Sequence, residues 1–459
     1  MLPRVRKLND HPIRTSARHV LYWAQMNRRV ESNHALAHAA ALANELSLPL
    51  LFYEGLTCTY PHANDRLHTF LLDGVPDTEQ RAAEAGIGYV FYLRKRRSDA
   101  NDTLYRLADE AAAIVTDDYP TFIAAEHNKR VPGRIGVAYF AVDASCIVPM
   151  ESFEKREYGA YTIRPKIHRL LPEHLKPVKP IQLKVRWKCQ RPVFHTTLTA
   201  ANIPSLVAAS EIDHAVQPSR TVRGGRFAAE KQLRRFLRTG LRRYTRERNE
   251  PRARVTSGLS PYLHFGHISS LEVALAVQRS AAQHKIIADE FLEELIVRRE
   301  LAFNFSQFCP KPSLDDLPEW ARANMKKHAR DRRAYVYTYD QFERAQTHDA
   351  LWIAAQKQML IEGHIHGYYR MYWGKKIIEW SPTYQAAFDT MVQIHDRYAL
   401  DGRDPNTYAN ILWCFGLHDR PWPERPVFGT VRYISLEGMK RKTKVAEYIR
   451  GIERLERQA

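Results

Sequence analysis

The order of apolar runs along the chain constrains the fold more than any other feature of this sequence. In the first 150 residues, short runs rich in β-branched and aromatic residues alternate with helical patterns. The runs lie at 19–24, 48–55, 88–94, 112–120 and 137–149, and the helical patterns lie at 31–47, 77–86 and 102–112. Such an alternation predicts βαβ units and a mostly parallel sheet with helices on both faces. No G-x-G-x-x-G or G-x-x-x-x-G-K-[ST] pattern follows a run, so we expect a Rossmann-like sheet without its usual phosphate-binding fingerprint.

The pattern changes completely in the second half of the chain. From about 165 to 220 the sequence is spotted with proline and predicts an irregular connection that lies over a surface. Beyond residue 225 only helical patterns occur, at 227–244, 268–284, 288–307, 340–362, 366–380, 383–398 and 441–456. The fold class is therefore predicted as α/β plus all-α. We expect an α/β domain over 18–160, a linker over 161–225 and a helical domain over 226–455.

Charge and cysteine usage narrow the class of protein. The formal net charge is +18, and the excess of cations is concentrated in 220–255, which predicts a polyanionic partner over a merely solvated basic face. The five cysteines include no C-x-x-C pair, so we expect neither a structural zinc site nor a disulfide framework. No apolar run reaches the roughly 20 residues of a membrane span, and the basic start lacks the apolar core of a secretory signal. We expect a soluble cytoplasmic protein, associated with the nucleoid if the source is prokaryotic.

Two motifs could carry chemistry, and each has an ordinary structural alternative. In "TSGLSPYLHFGHIS" (256–269), hydroxyl residues precede a helix that starts with proline. Unpaired backbone N–H groups there could hold a phosphate, although the isolated pattern favours an ordinary helix cap. "FLEELIVRRELAFNF" (291–305) places Glu293, Glu294 and Glu300 beside Arg298 and Arg299. These carboxylates could read a base edge or could form surface ion pairs along a helix.

The segment "HGYYRMYWGKKIIEW" (366–380) combines many large rings with fixed cations. Trp373 and Trp380 are seven residues apart, so they share one helix face about 10 Å apart along the axis. Such rings usually pack a core, but here Arg370, Lys375 and Lys376 are interleaved with them. The following stretch 400–422 is expected to be a polar loop carrying Trp413 and Trp422. The residues alone predict binding of a large aromatic cofactor and of a nucleic acid.

A family resemblance joins these motifs. The segments "RRVESNHALAHA", "YTIRPKI", "SGLSPYLHFGHIS", "FLEELIVRRELAFNF", "THDALWIAAQKQMLIEGHIHGYYRMYWGKKIIEW", "YALDGRDPN" and "ERPVFGTVRY" occur in this order. From about residue 18 to 450, the chain resembles class II cyclobutane pyrimidine dimer photolyases of the cryptochrome/photolyase family. The resemblance implies an N-terminal antenna domain and a helical FAD domain. It further implies a deoxyribodipyrimidine photo-lyase: light-excited reduced FAD passes one electron to a pyrimidine dimer flipped out of UV-damaged DNA, and the dimer splits. A monomer is expected, with an antenna chromophore of unspecified identity as a possible second pigment.

The resemblance also assigns residues to roles. The implied FAD contacts are Tyr244, Arg248, Thr256, Ser257, Gly258, Leu259, Ser260 and an ion pair between Arg370 and Asp401. The implied lesion pocket uses Glu294 (or Glu293, one position away), Met371 and Trp413. The implied DNA contacts are Arg298, Asp419, Arg420 and Arg432. An electron-transfer chain is implied through Trp373, Trp352 and Trp380, by which the flavin reaches its reduced state.

One position departs from the family pattern. Many class II members carry asparagine where this chain has His395, in "HDRYALDG", facing the reactive edge of the flavin. We expect a histidine whose charge changes near neutral pH, which would affect the redox state of the flavin. Two alternatives therefore stay open: a cryptochrome-like blue-light photoreceptor without repair activity, and a nucleic-acid-binding protein without cofactor. Because no long tail follows the last helical pattern, we expect repair rather than signalling.

Overall fold

The N-terminal part of the protein is a six-stranded sheet with the strand order β1-β6-β5-β2-β3-β4. The computed structural model describes residues 4–458. The strands are β1 (Val5–Lys7), β2 (His19–Ala24), β3 (Leu50–Thr57), β4 (Gly88–Arg94), β5 (Ala111–Asp117) and β6 (Ala138–Val142). All neighbouring strands pair in parallel except β1, which lies antiparallel to β6 at one edge. The five predicted strands are confirmed. The short edge strand β1 was not predicted, because three residues, two of them charged, are too few to show a period.

Helices cover both faces of this sheet, so strands β2 and β5 are buried along their whole length. The covering helices are α1 (His34–Leu46), α2 (Asp65–Glu84), α3 (Thr103–Ala108) and α4 (Phe122–Arg130). Helix α2 starts twelve residues before the predicted helix at 77–86. Its start is fixed by Asn64, whose side chain accepts a hydrogen bond from the Leu67 N–H at 3.0 Å. The sequence prediction began too late because Pro76 resembles the first residue of a helix.

The predicted irregular connection contains a helix, which corrects the sequence analysis. Helix α5 (Ala160–His174) continues through Pro165 and Pro172, because Ile163 and Ile167 are fully buried on its inner face. The chain beyond α5 is irregular as expected, apart from α6 (Ile203–Ala208). It runs along the sheet edge, where the Thr196 N–H donates to the Phe91 carbonyl at 2.7 Å.

The rest of the chain is helical, as predicted. The longer helices are α7 (Arg226–Arg235), α8 (Leu241–Glu247), α10 (Ser270–His284), α12 (Arg299–Phe308), α13 (Glu319–His328), α15 (Ala350–Glu362), α16 (Gly367–Trp380), α17 (Tyr384–Tyr398), α18 (Pro405–Trp413), α19 (Leu436–Lys442) and α20 (Val445–Arg457). The shorter ones are α9 (Ser260–His264), α11 (Asp289–Leu292) and α14 (Tyr339–Glu343). Wider turns at Phe236–Gly240 and Glu293–Arg298 join α7 to α8 and α11 to α12.

Two predicted elements in this part were wrong. The helix expected at 340–362 is split, because Ala345 has a positive φ of 56° and Asp349 starts a new helix by accepting from the Trp352 N–H at 2.8 Å. The loop expected at 400–422 contains α18. Asp404 caps this helix and Pro405 is its first residue, a start signal that the polar composition of the stretch obscured.

Buried polar contacts join the sheet region to the helices. Arg66 of α2 donates to the carbonyls of Met359 and Tyr398, each at 2.9 Å, at the ends of α15 and α17. Glu300 of α12 accepts from the backbone N–H of Ile147 at 2.6 Å, and burial raises its pKa to about 8. Glu300 is therefore an internal residue, and it neither forms a surface ion pair nor contacts bases.

The domain division at residue 226 stays a prediction, since one apolar cluster contains residues from both sides of it. Within residues 4–458, no helix has both the length and the apolar character to cross a membrane.

Candidate cofactor and nucleic-acid site

Three tryptophans from α15 and α16 form a buried ladder. Trp352, Trp373 and Trp380 are each at most 3% exposed. The Trp352 Nε1–H donates to the Trp373 carbonyl at 3.0 Å, and the ring centroids of Trp352 and Trp380 lie 6.3 Å apart, edge to face. The Trp373 Nε1–H donates to Gln356 Oε1 at 2.8 Å. Trp352 therefore contacts the backbone carbonyl of Trp373 and the ring of Trp380; the electron-transfer role of the three indoles stays a prediction.

Arg370, three residues before Trp373 on α16, forms an ion pair with Asp401, which lies between α17 and α18. Arg370 Nη2 and Asp401 Oδ2 are 3.1 Å apart, which matches the pair predicted from the sequence. Burial alone would raise the pKa of Asp401, but the charge of Arg370 holds it well below its usual range. Asp401 is therefore a fixed negative charge that orients the guanidinium of Arg370.

His395 is buried beside this pair and stays uncharged. Burial, with a smaller contribution from Arg370, lowers the pKa of His395 to about 3. The expectation that its charge changes near neutral pH is therefore wrong. Its Nδ1 atom and the Nε atom of Arg370 are both buried, and neither has a hydrogen-bond partner among residues 4–458. Buried polar atoms are normally paired, so these two atoms indicate a polar ligand group at this position.

The segment Thr256–Ser260 reaches the same centre. The Ser260 hydroxyl lies close enough to Asp401 to help lower its pKa, while Gln232 Nε2 donates to the Ser257 carbonyl at 2.6 Å. Gly258 has a φ of 63°, and a Cβ atom there would lie 2.4 Å from Gln232 Nε2, so only glycine fits. In the described chain, no side chain caps the first turn of α9. The segment is thus held by α7 through Gln232 and lies beside Asp401.

A cavity of about 540 Å³ opens between α5, α8 and the α11–α12 region. Glu293 accepts from Arg164 Nε at 3.0 Å and from Arg164 Nη2 at 2.7 Å, and this contact holds the pKa of Glu293 below its ordinary value despite partial burial. Glu294 accepts from Arg248 Nη1 at 3.0 Å. Both glutamates and the predicted DNA contact Arg298 line the cavity, so the structure keeps both carboxylates as candidates. Tyr244 lies under Arg248, whose guanidinium carbon is 5.8 Å from the ring centroid.

The other predicted lesion and DNA residues lie in a different group. Asp419 pairs with Arg432 at 3.0 Å, and the Arg432 guanidinium lies 4.2 Å from the ring centroid of Trp422 and 5.4 Å from that of Trp413. Arg420 lies 5.2 Å from the centroid of Trp422. Among the described residues, neither Trp413 nor Met371 lines the 540 Å³ cavity. Met371 follows Arg370 on α16 and is partly exposed.

Sequence reasoning missed three side chains that hold this site. Arg164 pairs with Glu293 from α5, which had been assigned to a linker. Gln356 pairs with Trp373 and is fully buried, and Lys375 lies buried with its Nζ 5.1 Å from the centroid of Trp413. The signal for Arg164 was its place in "YTIRPKI", but the proline beside it suggested an irregular chain. Nothing in the sequence distinguishes Gln356 from the other glutamines of α15.

Comparison with known proteins points in one direction. A family model described as DNA photolyase matches residues 20–183. A deoxyribodipyrimidine photo-lyase of Methanothermobacter thermautotrophicus is 40% identical over 97% of this chain and 97% of its own length. The deoxyribodipyrimidine photo-lyase of Oryza sativa is 37% identical over 95% of this chain and 88% of its own length.

Solved structures share the fold at much lower sequence identity. A cryptochrome of Synechocystis superposes with a TM-score of 0.70 at 14% identity, over 94% of this chain and 88% of that one. A class III photolyase of Agrobacterium tumefaciens gives a TM-score of 0.68 at 17% identity, over 95% and 86% of the two chains. An archaeal photolyase of Sulfolobus tokodaii, crystallised with two FAD molecules, gives 0.67 at 16% identity, over 94% and 89%. These likenesses confirm the predicted combination of a parallel-sheet region and a helical region.

Proposed function

Because this chain belongs to the DNA photolyase family, we propose that it is a light-dependent DNA-repair enzyme of class II that splits cyclobutane pyrimidine dimers. The enzyme class carried by its relatives, deoxyribodipyrimidine photo-lyase, is the one predicted for this chain. The observation that carries the proposal is the centre formed by Arg370, Asp401 and His395 next to the buried tryptophan ladder. It combines a fixed ion pair, two buried nitrogen atoms without a hydrogen-bond partner among residues 4–458, and three buried tryptophans.

The residues of this centre fit FAD. Arg370 Nε and His395 Nδ1 are buried atoms that could bond polar edges of an isoalloxazine ring, and Ser257 and Ser260 could bond its phosphate and ribose groups. When bound in its reduced form, FAD supplies the light absorption and the single electron that the repair reaction requires. The guanidinium of Arg370 favours an anionic ligand electrostatically, and Asp401 keeps that guanidinium in place.

The other residues supply binding and shielding. Trp373 is 1% exposed, so the ladder is kept dry where it approaches the centre. His395 stays neutral at physiological pH and presents its Nδ1 atom as a donor or an acceptor, depending on the tautomer. A glutamate of the 540 Å³ cavity would hydrogen-bond the extruded dimer, while the Arg432 group would contact the DNA beside it.

The decisive experiment is repair of a dimer-containing oligonucleotide under blue light. We expect purified protein to show flavin absorption bands and to restore the ultraviolet absorbance of thymine only when illuminated. Bound, reduced flavin without repair would support the cryptochrome-like photoreceptor instead. A colourless protein that still binds DNA would support a binder without cofactor. The same spectrum reports any antenna chromophore as an additional band.

A further inference from the structure

The most basic stretch of the sequence forms one long helix with two different faces. Helix α7, the wide turn Phe236–Gly240 and α8 follow one another without a break from Arg226 to Glu247. Ala229, Leu233, Phe236 and Leu241 are buried on the inner face. The outer face carries a row of exposed cations, which we call the α7–α8 stripe: Lys231, Arg234, Arg238, Arg242 and Arg246. At about 1.5 Å per residue, the stripe is about 22 Å long.

The charges of this stripe are almost uncompensated. Arg234 lies 3.8 Å from Glu230, and the other four have no carboxylate within ion-pair distance in residues 4–458. Two nearby arginines off the stripe are paired with carboxylates: Arg243 with Glu247, and Arg252 with Glu447 at 3.0 Å. Like charges one helical turn apart destabilise a helix by about 0.2–0.5 kcal/mol per pair. The stripe contains four successive pairs of like charges, so its residues reduce the stability of the helix. A partner that supplies negative charge would offset this cost.

The stripe ends beside the candidate lesion cavity. Arg246, its last member, is two residues before Arg248, which lines the 540 Å³ cavity and pairs with Glu294. The opposite side of α8 carries Tyr244, which packs against Phe291 with ring centroids 5.3 Å apart. One helix therefore turns one face to the cavity and the other face, densely positive, to solvent.

We propose that the α7–α8 stripe binds the phosphate backbone of the duplex arm on one side of the lesion, independently of damage. The proposal rests on the proposed repair function for the identity of the duplex. Phosphates of one DNA strand advance about 3.4 Å along the axis, so a 22 Å row spans about six of them. The stripe would give salt-sensitive affinity for undamaged duplex, and so a means of scanning DNA before a dimer is extruded.

The test compares two variants with the same loss of charge. The stripe variant carries Lys231→Gln, Arg234→Gln, Arg238→Gln, Arg242→Gln and Arg246→Gln. The control carries Arg96→Gln, Arg97→Gln, Arg134→Gln, Lys176→Gln and Lys179→Gln, which are exposed and lie outside the helical region. Binding of an undamaged duplex is measured in the dark at several salt concentrations. If three to four phosphate contacts are lost, the negative slope of log K against log salt becomes shallower by about 3. The affinity near 0.1 M salt then drops about 100-fold or more. The control variant should change this slope by less than about 0.9, the change that the loss of one phosphate contact produces.

A second measurement locates the contact. Two duplexes are compared, one with the dimer near its 5′ end and one with the dimer near its 3′ end, so that each extends on only one side of the lesion. The stripe variant should lose affinity for only one of these two duplexes. Its maximal repair rate on a short single-stranded dimer oligonucleotide should be unchanged.

An equal loss of duplex affinity in the stripe variant and in the control variant would overturn the proposal in favour of general electrostatics. So would a loss of binding only to RNA or to phosphatidylserine vesicles. If neither variant repairs DNA, the repair function fails, and dark binding of undamaged duplex still decides the stripe. The double variant Arg238→Gln/Arg242→Gln repeats the comparison with a smaller perturbation.

Discussion

The two groups of tryptophans in the helical region differ in their surroundings. In the buried ladder, Trp352 and Trp373 donate their N–H groups to neutral oxygen atoms, and the described structure places no cation over either ring. In the second group, Trp413 has Lys375 at 5.1 Å and Arg432 at 5.4 Å from its centroid, while Trp422 has Arg432 at 4.2 Å. Trp380 is intermediate, since Lys376 lies 5.5 Å from its ring but pairs with Glu379.

The difference predicts two purposes for one residue type. A unit positive charge about 5 Å away, at an effective dielectric constant of about 20, raises the energy of a second positive charge by about 3 kcal/mol. Removing an electron is therefore harder from Trp413 than from Trp373 or Trp352. The neutral, dry ladder suits charge transfer. The cation-flanked indoles suit stacking on a base beside phosphate groups, where positive charge is an advantage.

The largest expected effect is the loss of light-driven flavin reduction in Trp373→Phe. Phenylalanine fills most of the same space but is much harder to oxidise, so the chain loses its member nearest Arg370 on α16. We expect photoreduction to slow by more than about tenfold, while protein reduced chemically still repairs dimers. Absorbance of the flavin under blue light measures the effect. Trp187→Phe, in the irregular chain beside β4, should reduce at the wild-type rate. Wild-type photoreduction in Trp373→Phe would remove the distinction between the two groups.

The second expected effect is weaker binding of damaged DNA by Trp413→Ala. Stacking of one base on an aromatic ring contributes about 1–3 kcal/mol, so affinity for a dimer-containing duplex should fall about 5- to 150-fold. Photoreduction should be unchanged, because Trp413 is outside the ladder. Binding of damaged and undamaged duplexes in the dark gives the comparison, with Trp373→Phe as the matched control that keeps full affinity. If Trp413→Ala instead lost photoreduction and kept its affinity for damaged DNA, the assigned roles would be reversed.

The residue pattern alone predicted only the shared helix face of Trp373 and Trp380, and the family resemblance supplied the Arg370–Asp401 pair; neither identified the side chains that support them. Trp373, Trp380 and Arg370 lie on one helix, so their spacing already relates them, and Trp352 was added by resemblance. The partners Gln356 and Arg164 come from other helices, and no local pattern shows which glutamine or arginine will be buried. The same limit explains α2, α5 and α18. Prolines 76, 165 and 405 locally suggest a helix start or a break in the helix. Whether a helix forms there depends on tertiary contacts, such as the burial of Ile163 in α5 and the capping of α18 by Asp404.

The charge of His395 shows a related limit. Its residue type predicts a group that titrates near neutral pH, but its complete burial lowers the pKa to about 3. Only the packing of α17 against its neighbours determines this environment. The cavity glutamates illustrate the opposite case, since the sequence already restricted the choice to Glu293 and Glu294, and both line the cavity.

A smaller effect is expected when the neutral acceptor of the ladder is removed. In Gln356→Leu, the buried Trp373 Nε1–H loses its partner, and the Glu343 carbonyl loses the donor that now lies 3.1 Å away. Leaving buried polar groups unpaired costs about 1–3 kcal/mol of unfolding free energy. Urea unfolding measures this, and Gln385→Leu on the exposed face of α17 should change it by less than about 0.5 kcal/mol. Equal stability of the two variants would show that the ladder does not depend on this hydrogen bond.

The smallest expected effect concerns the cation behind Trp413. Lys375 is fully buried, donates to the Cys414 carbonyl at 2.6 Å, and has its pKa lowered to about 8, chiefly by burial. The groups facing it are Asp419, Arg432 and Cys414, and burial raises the pKa of the Cys414 thiol to about 11, so that thiol stays neutral. Between pH 8 and about 10.4, the unfolded chain binds more protons at this lysine than the folded one does, so stability from this residue rises with pH.

Replacing Lys375 by methionine should remove this dependence. Relative to Lys375→Met, the wild-type protein should gain about 1 kcal/mol of unfolding free energy between pH 8 and pH 9, since each unit of pKa difference corresponds to about 1.4 kcal/mol. Urea unfolding at the two pH values measures the gain, and Lys376→Met, whose lysine pairs with Glu379, is the control that should run parallel to the wild type. Over the same range, loss of the charge should make Trp413 more like the ladder indoles. Parallel pH dependence of the wild type and Lys375→Met would mean that Lys375 stays charged and that the contrast between the two groups does not change with pH.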